Sequence, residues 1–511
     1  MSESLNPIEL AVFVARCAAV CDEMGLILRS AAFSPNIKDR LDYSCALFDA
    51  DGRMFAQAAH VPVHLGSMAF AMQQVVGLRQ WQAGDELIWN DPFLGGTHLP
   101  DVTLVRPFFS GSELLGFVAN RAHHAQIGAA TPGSMPLSKH LDEEGLVIPP
   151  TLLFEGGEVN RALRGSLQAA LGAGTAADLA AQSSANRVGI DRLEQLITAL
   201  SAERYGNAID QLNGYGRAVA EAGVRRIPDG RYCFEDVMDS DGHAAANCTI
   251  KVAITVADAA VQVDFTGTSS AVPGNINCPL SVTAAGVFYV IRCLLPPETP
   301  ACAGAFDVVT IQATPGCLVH AQRPAATAAG NVETSMRIVD CMLGALAEAL
   351  PNEIPAASQG TMNNVAMGQV GHWDYYETLG GGTGASANQK GIDAVQSHMT
   401  NTLNTPIEVL ESNYPIQVLE YSVRAGSGGA GKQVGGCGLV RSYRFLAETE
   451  VTLITERRVS APWGLAGGDP GLSGMNYLDG QRLPDKIQLS VLPNQVLRIE
   501  TPGGGGWGDK D

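Results

Sequence analysis

Two tight turns between strand-like runs are the features that most constrain the fold of this chain. Asp51-Gly52 lies between two runs rich in β-forming residues, which favours a two-residue hairpin turn. A Ser-Gly-Ser-Glu sequence at 110–113 separates two further runs in the same way. The predicted strand pairs are residues 43–48 with 53–59, and residues 102–109 with 114–120. The N-terminal part of the chain should therefore build an antiparallel sheet from hairpins.

The second hairpin brings three candidate metal ligands together. Counting outward from its turn places Asp101 opposite about residue 122, beside His123, at the open end of the hairpin. His98 stays close because Pro100 prevents a helix from continuing there. Two imidazoles and a carboxylate are a common catalytic ligand set that suits Zn, Mn or Fe(II). The alternative is that Asp101 only begins its strand and that His123 is a buried, hydrogen-bonded histidine.

The first hairpin adds a fourth candidate. Counting from its turn places Asp42 opposite His60 or Val61, again at an open end. Asp42 is therefore a candidate ligand or an acceptor for a ligand's second nitrogen, and Asp39 is the nearby alternative. His60 and His64 could face the same site, but we expect them to form hydrogen bonds within their own loop.

The remaining sequence predicts an α+β fold: a multi-domain, mixed α/β chain in which β-hairpins carry the site and a helical segment lies centrally. Periodicity and composition predict helices at residues 6–32, 66–79, 160–225 and 331–350, and strands within 230–268, 451–459 and 486–500. We expect four regions: an α+β metal-site region at 1–160, a helical region at 161–228, a β-rich region at 229–330 and a glycine-rich α+β region at 331–511.

Composition excludes several classes of partner. The formal net charge of −19 disfavours nucleic acid, and the absence of any apolar run of about 18 residues disfavours a membrane-spanning helix. Only 17% of residues are charged, which favours subunits that cover part of the surface, although a large core also lowers this fraction. The eleven cysteines are scattered singly and the first residues do not resemble a signal peptide, so we expect reduced thiols in a cytoplasmic protein.

Two glycine-rich stretches stand out, and we expect neither to be a functional site. Residues 426–433 (GSGGAGKQ) have the spacing of a phosphate-binding loop, but Gln433 stands where a Ser or Thr should hold Mg²⁺. We expect a glycine-rich loop there. The tail at 501–511 (TPGGGGWGDKD) is expected to be a flexible end, although its glycines would also allow close backbone packing.

Segments spread over nearly the whole chain carry a family resemblance. They include KDRLDYSCALF, GTHLPD and EEGLVIPP, and they cover residues 38–68, 84–107, 117–128, 143–150, 328–340, 397–411, 424–432 and 501–509. Together they resemble the hydantoinase B/oxoprolinase family. That family comprises the B-type subunits of N-methylhydantoinase, 5-oxoprolinase and caprolactamase systems, with a related subunit in acetone and acetophenone carboxylases.

The resemblance implies a metal-dependent hydrolase subunit. The ligands it implies are His98, Asp101 and His123, with Asp42 as a less secure fourth. It also implies an A-type partner with an actin-like ATPase fold, which uses ATP and Mg²⁺ to activate a small cyclic amide by phosphorylating its oxygen. We expect a dimer of this chain alone or a heterotetramer with the partner.

Two further points concern the chemistry of the site. Glu143 or Glu144 could act as general base, although a solvated pair on a loop is the alternative that we favour. The family usually has an aromatic residue and an arginine after GAGK, where this chain has Gln433 and Val434. This departure indicates that the ligand of this chain could differ from that of other members.

Three other functions are compatible with part of the sequence. The first is a subunit of an ATP-dependent ketone carboxylase, although the acetone carboxylase subunit of this type is considerably longer. The second is a non-haem iron oxygenase with two histidines and one carboxylate, which the helices at 160–225 disfavour. The third is a scaffold that only binds and regulates an ATPase.

Overall fold

The computed structural model describes residues 4–58 and 60–510, with the backbone alone described at residue 65. The α-helices in this part of the chain are α1 (Pro7–Ala31), α2 (Pro35–Lys38), α3 (Pro62–Val75), α4 (Arg161–Leu200), α5 (Ala202–Val224), α6 (Leu280–Leu294), α7 (Ser335–Ala349) and α8 (Ile407–Asn413). The strands are β1 (Tyr43–Asp49), β2 (Met54–Gln57), β3 (Glu86–Trp89), β4 (Asp101–Ser110), β5 (Glu113–His123), β6 (Thr151–Glu155), β7 (Glu158–Val159), β8 (Gly230–Ser240), β9 (Ala246–Ala257), β10 (Ala260–Asp264), β11 (Val309–Gln312), β12 (Asn364–Gln369), β13 (Trp373–Thr378), β14 (Ile416–Val423), β15 (Leu439–Phe445), β16 (Thr449–Ile454), β17 (Met475–Leu478), β18 (Gln481–Leu483), β19 (Lys486–Val491) and β20 (Val496–Glu500).

The described strands form four sheets. The N-terminal sheet has the order β2-β1-β5-β4-β3-β6-β7, and its paired strands are antiparallel. The other three sheets have the orders β11-β10-β9-β8, β13-β12-β16-β19 and β14-β15-β20-β17-β18. Helices pack between and against these sheets, so the predicted α+β class is confirmed.

Both predicted hairpins are present, and each contains a register shift that the sequence did not reveal. In the first, Ala46 lies opposite Gln57, which is the predicted register. In the second, the register shifts by one residue at a bulge beside Leu115, so that Asp101 lies directly opposite His123. Directly opposed residues of antiparallel strands share a face, whereas a slip of one residue separates the faces. The bulge therefore puts Asp101 and His123 on the same face of the sheet.

Helices cover both faces of the N-terminal sheet. On one face, Met68 and Met72 of α3 pack with Ala46 and Phe117 in a buried apolar cluster. On the other face, α4 is tied to the sheet by hydrogen bonds, among them one of 2.8 Å from the side chain of Asn120 to the backbone oxygen of Gln182. Asp101 and His123 face α3, so the first turn of α3 covers the site.

The start of α3 differs from the prediction. The helix begins at Pro62 rather than at residue 66, because proline in the first turn has the right φ and lacks only a donor that would be unpaired anyway. His64 is therefore helical and does not belong to a loop. By contrast, the predicted start of α1 is confirmed, since Asn6 caps the helix and Glu9 completes a capping box.

The helical region consists of α4 and α5, in agreement with the predicted two or three helices. The long helix α4 is interrupted at Gly172, where φ is 85° and ψ is 175°. No helix in the described part of the chain has both the length and the apolar character that crossing a membrane requires.

The glycine-rich tail is buried, so the expected flexible end is wrong and close backbone packing is what the structure contains. Residues 501–506 are buried. Gly504 donates to the oxygen of Gly436 at 2.9 Å and accepts from the nitrogen of Gly429 at 2.8 Å. A Cβ on Gly504 would lie 2.0 Å from the oxygen of Thr383, so only glycine fits. The loop at 426–433 packs against this tail, and no strand-to-helix unit surrounds it in the described chain.

Candidate metal centre

The side chains of His98, Asp101 and His123 meet under the first turn of α3. His98 Nε2 lies 3.2 Å from Asp101 Oδ1 and 3.2 Å from His123 Nδ1. His123 Nδ1 lies 3.2 Å from the same oxygen of Asp101. All three residues are buried, and their donor atoms form a compact group of the kind that holds a metal ion. The structure thus brings together the three residues that the sequence placed at the open end of the hairpin.

The spacing of these three atoms fits a single ion. Ligands at about 2.0 to 2.2 Å from a metal in tetrahedral or octahedral geometry lie about 2.8 to 3.6 Å from one another. The three donor atoms here are each 3.2 Å from the other two. Neutral imidazole nitrogen and carboxylate oxygen form a donor set that suits zinc, manganese or ferrous iron.

Hydrogen bonding fixes the tautomer of His98 and argues further for a cation. His98 Nδ1 lies 3.2 Å from the backbone oxygen of Ala328. Because a carbonyl oxygen can only accept, this nitrogen carries the hydrogen, and Nε2 presents its lone pair to Asp101 when the ring is neutral. Two lone pairs at 3.2 Å in a buried site repel each other unless a proton or a metal ion lies between them.

His123 is held by an aromatic ring on its other side. Its ring stacks on Tyr376, with centroids 5.0 Å apart and an angle of 11° between the planes. Burial lowers the pKa of His123, which keeps the imidazole neutral at pH 7, as metal binding requires. His123 Nε2 is buried and has no hydrogen-bond partner among the described residues.

Asp101 is the charged centre of the cluster. Burial alone would raise the pKa of its carboxyl group, but the imidazoles of His98 and His64 outweigh burial and hold that pKa well below the usual range. Its second oxygen, Oδ2, accepts a hydrogen bond from the hydroxyl of Thr97 and lies 3.4 Å from the amide nitrogen of Asn331. Asp101 is therefore an ionised carboxylate that needs positive charge beside it.

The two histidines of the HVPVH segment behave differently. His64 Nε2 lies 3.2 Å from Asp101 Oδ2, so His64 belongs to the cluster, and the expected hydrogen bonding within its own loop is wrong for this residue. His60 stays outside the cluster, but its Nδ1 accepts from the backbone of Cys45 on β1 at 3.1 Å, so the expected hydrogen bonding within the loop is wrong for its side chain as well. Its ring packs on the edge of Tyr43.

Asp42 borders the cluster, whereas Asp39 does not. The Asp42 carboxylate lies 3.7 Å from His64 Nε2 and 4.0 Å from His123 Nδ1. Arg40 lies 3.9 Å from the same carboxylate. No hydrogen bond or ion pair joins Asp39 to the triad among the described residues, and Asp39 is half-buried. Asp42 is thus the better placed of the two for a fourth ligand.

The two candidate general bases occupy different environments. Glu143 is exposed and accepts a hydrogen bond from the backbone of Lys139 at 2.8 Å. The favoured solvated pair is wrong for Glu144, which is buried and whose Oε1 accepts from the backbone nitrogens of Thr327 at 2.8 Å and Ala328 at 2.9 Å. Burial raises the pKa of Glu144 to about 7. Neither carboxylate touches the triad, so a catalytic role for either stays a prediction.

A small cavity opens onto the cluster. It has about 20 Å³ of space open to water, which is room for about one water molecule. Its wall combines two ligand candidates with apolar and hydroxyl side chains, among them Asp42, His123, Met362, Tyr376 and Thr402. The site can hold a water next to the triad while excluding bulk solvent.

The sequence did not point to several residues that build this site. Arg121 donates to Ser67 Oγ at 2.6 Å and to Thr103 Oγ1 at 2.8 Å, and so ties α3 and β4 to β5. Its position two residues before His123 on the same strand face was the one available signal. Tyr376 and Asn331 lie far along the chain and carry no local signal at all.

Comparison with known proteins shows the family to which the chain is related. The family model for Hydantoinase B/oxoprolinase matches residues 6–510. An uncharacterized protein of Methanocaldococcus jannaschii is 39% identical over 99% of this chain and 91% of its own length. The 5-oxoprolinase of Dictyostelium discoideum is 37% identical over 100% of this chain, which spans only 41% of that enzyme.

Two solved structures share the fold. The ATP-dependent caprolactamase of Pseudomonas jessenii has a TM-score of 0.92 at 26% identity, over 99% of this chain and 92% of that one. A nucleotide-free acetone carboxylase has a TM-score of 0.88 at 18% identity, over 99% of this chain and 76% of that one, which shows a common fold alone. From the match along its whole length, the chain belongs to the hydantoinase B/oxoprolinase family.

Proposed function

We propose that this chain is the metal-dependent subunit of an ATP-dependent cyclic-amide hydrolase. The observation that carries the proposal is the buried group of His98, Asp101 and His123, whose donor atoms lie 3.2 Å from one another. Family membership and the likeness to a caprolactamase support the reaction class. Hydantoins, 5-oxoproline and larger lactams are the substrates to compare.

The chain's own residues would bind and orient a divalent ion. His98, Asp101 and His123 would bind the ion. Asp42 or His64 would be a fourth ligand or would interact with the three ligands from outside. Bound there, a zinc, manganese or iron ion would supply Lewis acidity and a water of lowered pKa. Ala328 fixes the orientation of His98, in the way that backbone carbonyls commonly orient metal-binding imidazoles.

The small cavity suits the attack of water on an activated substrate. Asn331 lines it, and Asn331 Oδ1 is buried without a partner among the described residues. That oxygen would accept a hydrogen bond from a water molecule held beside the triad. The surrounding methionine, valine and tyrosine side chains would exclude bulk water, which strengthens every electrostatic contact in the site.

Activation of the amide would be the task of a partner. Resonance makes the amide carbon a poor electrophile, and phosphorylation of its oxygen removes that protection. The chain spans 41% of a 5-oxoprolinase relative, so most of that relative lies outside the region shared with this chain. We propose an A-type, actin-like ATPase subunit as the source of ATP and Mg²⁺ chemistry, in a heterotetramer with a dimer of this chain.

The test is a His98→Ala variant assayed with the ATPase partner. We expect bound metal to fall from one ion per chain to near zero and lactam-dependent ATP turnover to fall at least about a hundredfold. Metal content and turnover over a panel of lactams and ketones measure this. The matched control is His243→Ala, which removes an exposed histidine and should change neither quantity.

Two outcomes would contradict the proposal. If His98→Ala lost its metal but kept full activity with the partner, the triad would not take part in the reaction. If the native complex turned over ATP only with bicarbonate and a ketone, the chain would be a carboxylase subunit.

A further inference from the structure

A second, larger cavity lies away from the metal triad. It has a volume of about 500 Å³ and shares no lining residue with the small cavity at the triad. Its walls come from the α1–α2 connection, the segment after β5, the broken part of α4 and the β12–β13 hairpin, and they include Ser34, Thr131, Gly172, Asp178 and Asp374. The positive φ at Gly172 interrupts α4 at this wall.

The charged groups around this cavity are carboxylates. Asp178 and Asp374 line it, and no lysine or arginine is among its lining residues. Asp178 uses Oδ1 to accept from the backbone nitrogens of Phe33 and Ser34, at 2.6 and 3.1 Å. Asp374 forms no ion pair with another described residue, and burial raises its pKa to about 6. Two carboxylates therefore face a space that offers them no lysine or arginine, and the imidazole that lines it is that of His372, which is exposed.

Unpaired polar groups line the same cavity. Ser34 Oγ and Thr131 Oγ1 are buried and have no hydrogen-bond partner among the described residues, and each of these residues is 5% exposed. Buried hydroxyls are rarely left unpaired without a ligand or water to satisfy them. Trp373 and Tyr414 add aromatic rings to the wall, with centroids 5.2 Å apart.

We propose that this cavity binds a primary organic ammonium compound. An ammonium group has three donors and no acceptor, and the wall offers the Asp374 carboxylate and the hydroxyl oxygens of Ser34 and Thr131. The carboxylate would neutralise the ligand's charge, and the faces of Trp373 and Tyr414 would attract it by cation–π interaction. The volume accommodates an amine with a short hydrocarbon chain.

The test is calorimetric titration of the whole chain with hexylamine, 6-aminohexanoate and hexanoate. We expect the two ammonium compounds to bind with one site per chain, and hexanoate, which lacks the ammonium group, not to bind. Asp374→Asn should weaken amine binding about tenfold, because a charge-assisted contact is lost. Asp210→Asn, the same change at an exposed helical position, should leave amine affinity unchanged.

A second, conservative variant distinguishes the loss of a ligand contact from the loss of folding. Trp373→Phe keeps an aromatic ring at the wall and should weaken hexylamine binding several-fold, because phenylalanine attracts cations less strongly than tryptophan. Equal binding of hexanoate, unchanged affinity in Asp374→Asn, or no binding at millimolar hexylamine would overturn the proposal. None of these measurements requires the ATPase partner or turnover, so they are independent of the hydrolase function.

Discussion

A single residue, Ala328, links Glu144 to the metal triad. Glu144 Oε1 accepts from the backbone nitrogen of Ala328 at 2.9 Å, and the oxygen of that residue lies 3.2 Å from His98 Nδ1. The Glu144 carboxylate thus fixes the position of Ala328, whose carbonyl oxygen accepts a hydrogen bond from the His98 imidazole. Such indirect contacts fix the tautomer and direction of a ligand, so we interpret Glu144 as a positioning residue.

The Glu144→Gln variant tests this interpretation at the residue scale. We expect the metal dissociation constant to rise about tenfold to a hundredfold, because outer contacts of ligands have effects of this size. Competition with a chelator measures it. The neighbouring Glu143→Gln, at an exposed position, is the control and should leave affinity unchanged. Unchanged affinity in Glu144→Gln with greatly reduced turnover would instead make Glu144 a general base.

The residues that sequence could predict are those whose neighbours are local. One hairpin and one proline place His98, Asp101 and His123 at the same end of the sheet, although the bulge, which the sequence did not reveal, puts Asp101 and His123 on one face. His64 was missed because its place depends on where α3 begins. Ala328 and Tyr376 reach the site from more than 200 residues away, through contacts that no periodicity or turn signal encodes.

At the scale of elements, the register of β5 decides whether the triad exists, and the bulge at Leu115 accommodates the one residue by which β5 exceeds that register. If the native strand paired continuously from the turn, Asp101 would lie opposite Ala122 and His123 would be on the opposite face. Deletion of Leu115 should remove the bulge and still leave Asp101 opposite His123. We therefore expect this deletion to keep one bound metal ion per chain, measured by elemental analysis.

Deletion of Ala119 is the matched control, since it removes one residue of the same strand beyond the bulge. It should weaken metal binding, because His123 either falls one position out of register or keeps its place only if Phe117 and Val118 move to the opposite faces of the sheet. If both deletions lost the metal equally, the bulge would have another role, such as twisting β5 to fit β1.

Sequence patterns predicted the elements unevenly. Hairpin turns and helix caps are local, so both hairpins and the start of α1 are confirmed. The bulge was not predictable, since Leu115 is an ordinary strand residue and only pairing reveals it. Residues 486–500 form two strands, β19 and β20, rather than one, because Asn494 turns the chain with a φ of 71°.

At the scale of the whole molecule, hydrogen bonds and close contacts between backbone atoms stabilise the C-terminal region. Gly504 contacts the segments around Gly429, Gly436 and Thr383 at once. Gly504→Ala should destabilise the protein by about 3 kcal/mol, because a methyl group has no room there. Thermal unfolding measures this, and Gly206→Ala is the control.

Gly206 lies on an exposed part of α5, where a Cβ would meet nothing within 4 Å. Alanine there should raise the free energy of unfolding by about 0.5 to 1 kcal/mol, through its better helix propensity. An unchanged melting temperature in Gly504→Ala would mean that the tail does not pack as described.

The buried tail also determines which backbone amide hydrogens exchange slowly with solvent. The amide groups of Gly504, Gly505 and Gly506 donate to oxygens of other segments and lie in the interior. Amide hydrogens exchange only when such contacts open, and interior groups with many neighbouring segments open rarely. Some of the slowest deuterium uptake should therefore occur in a stretch that belongs to no helix or strand.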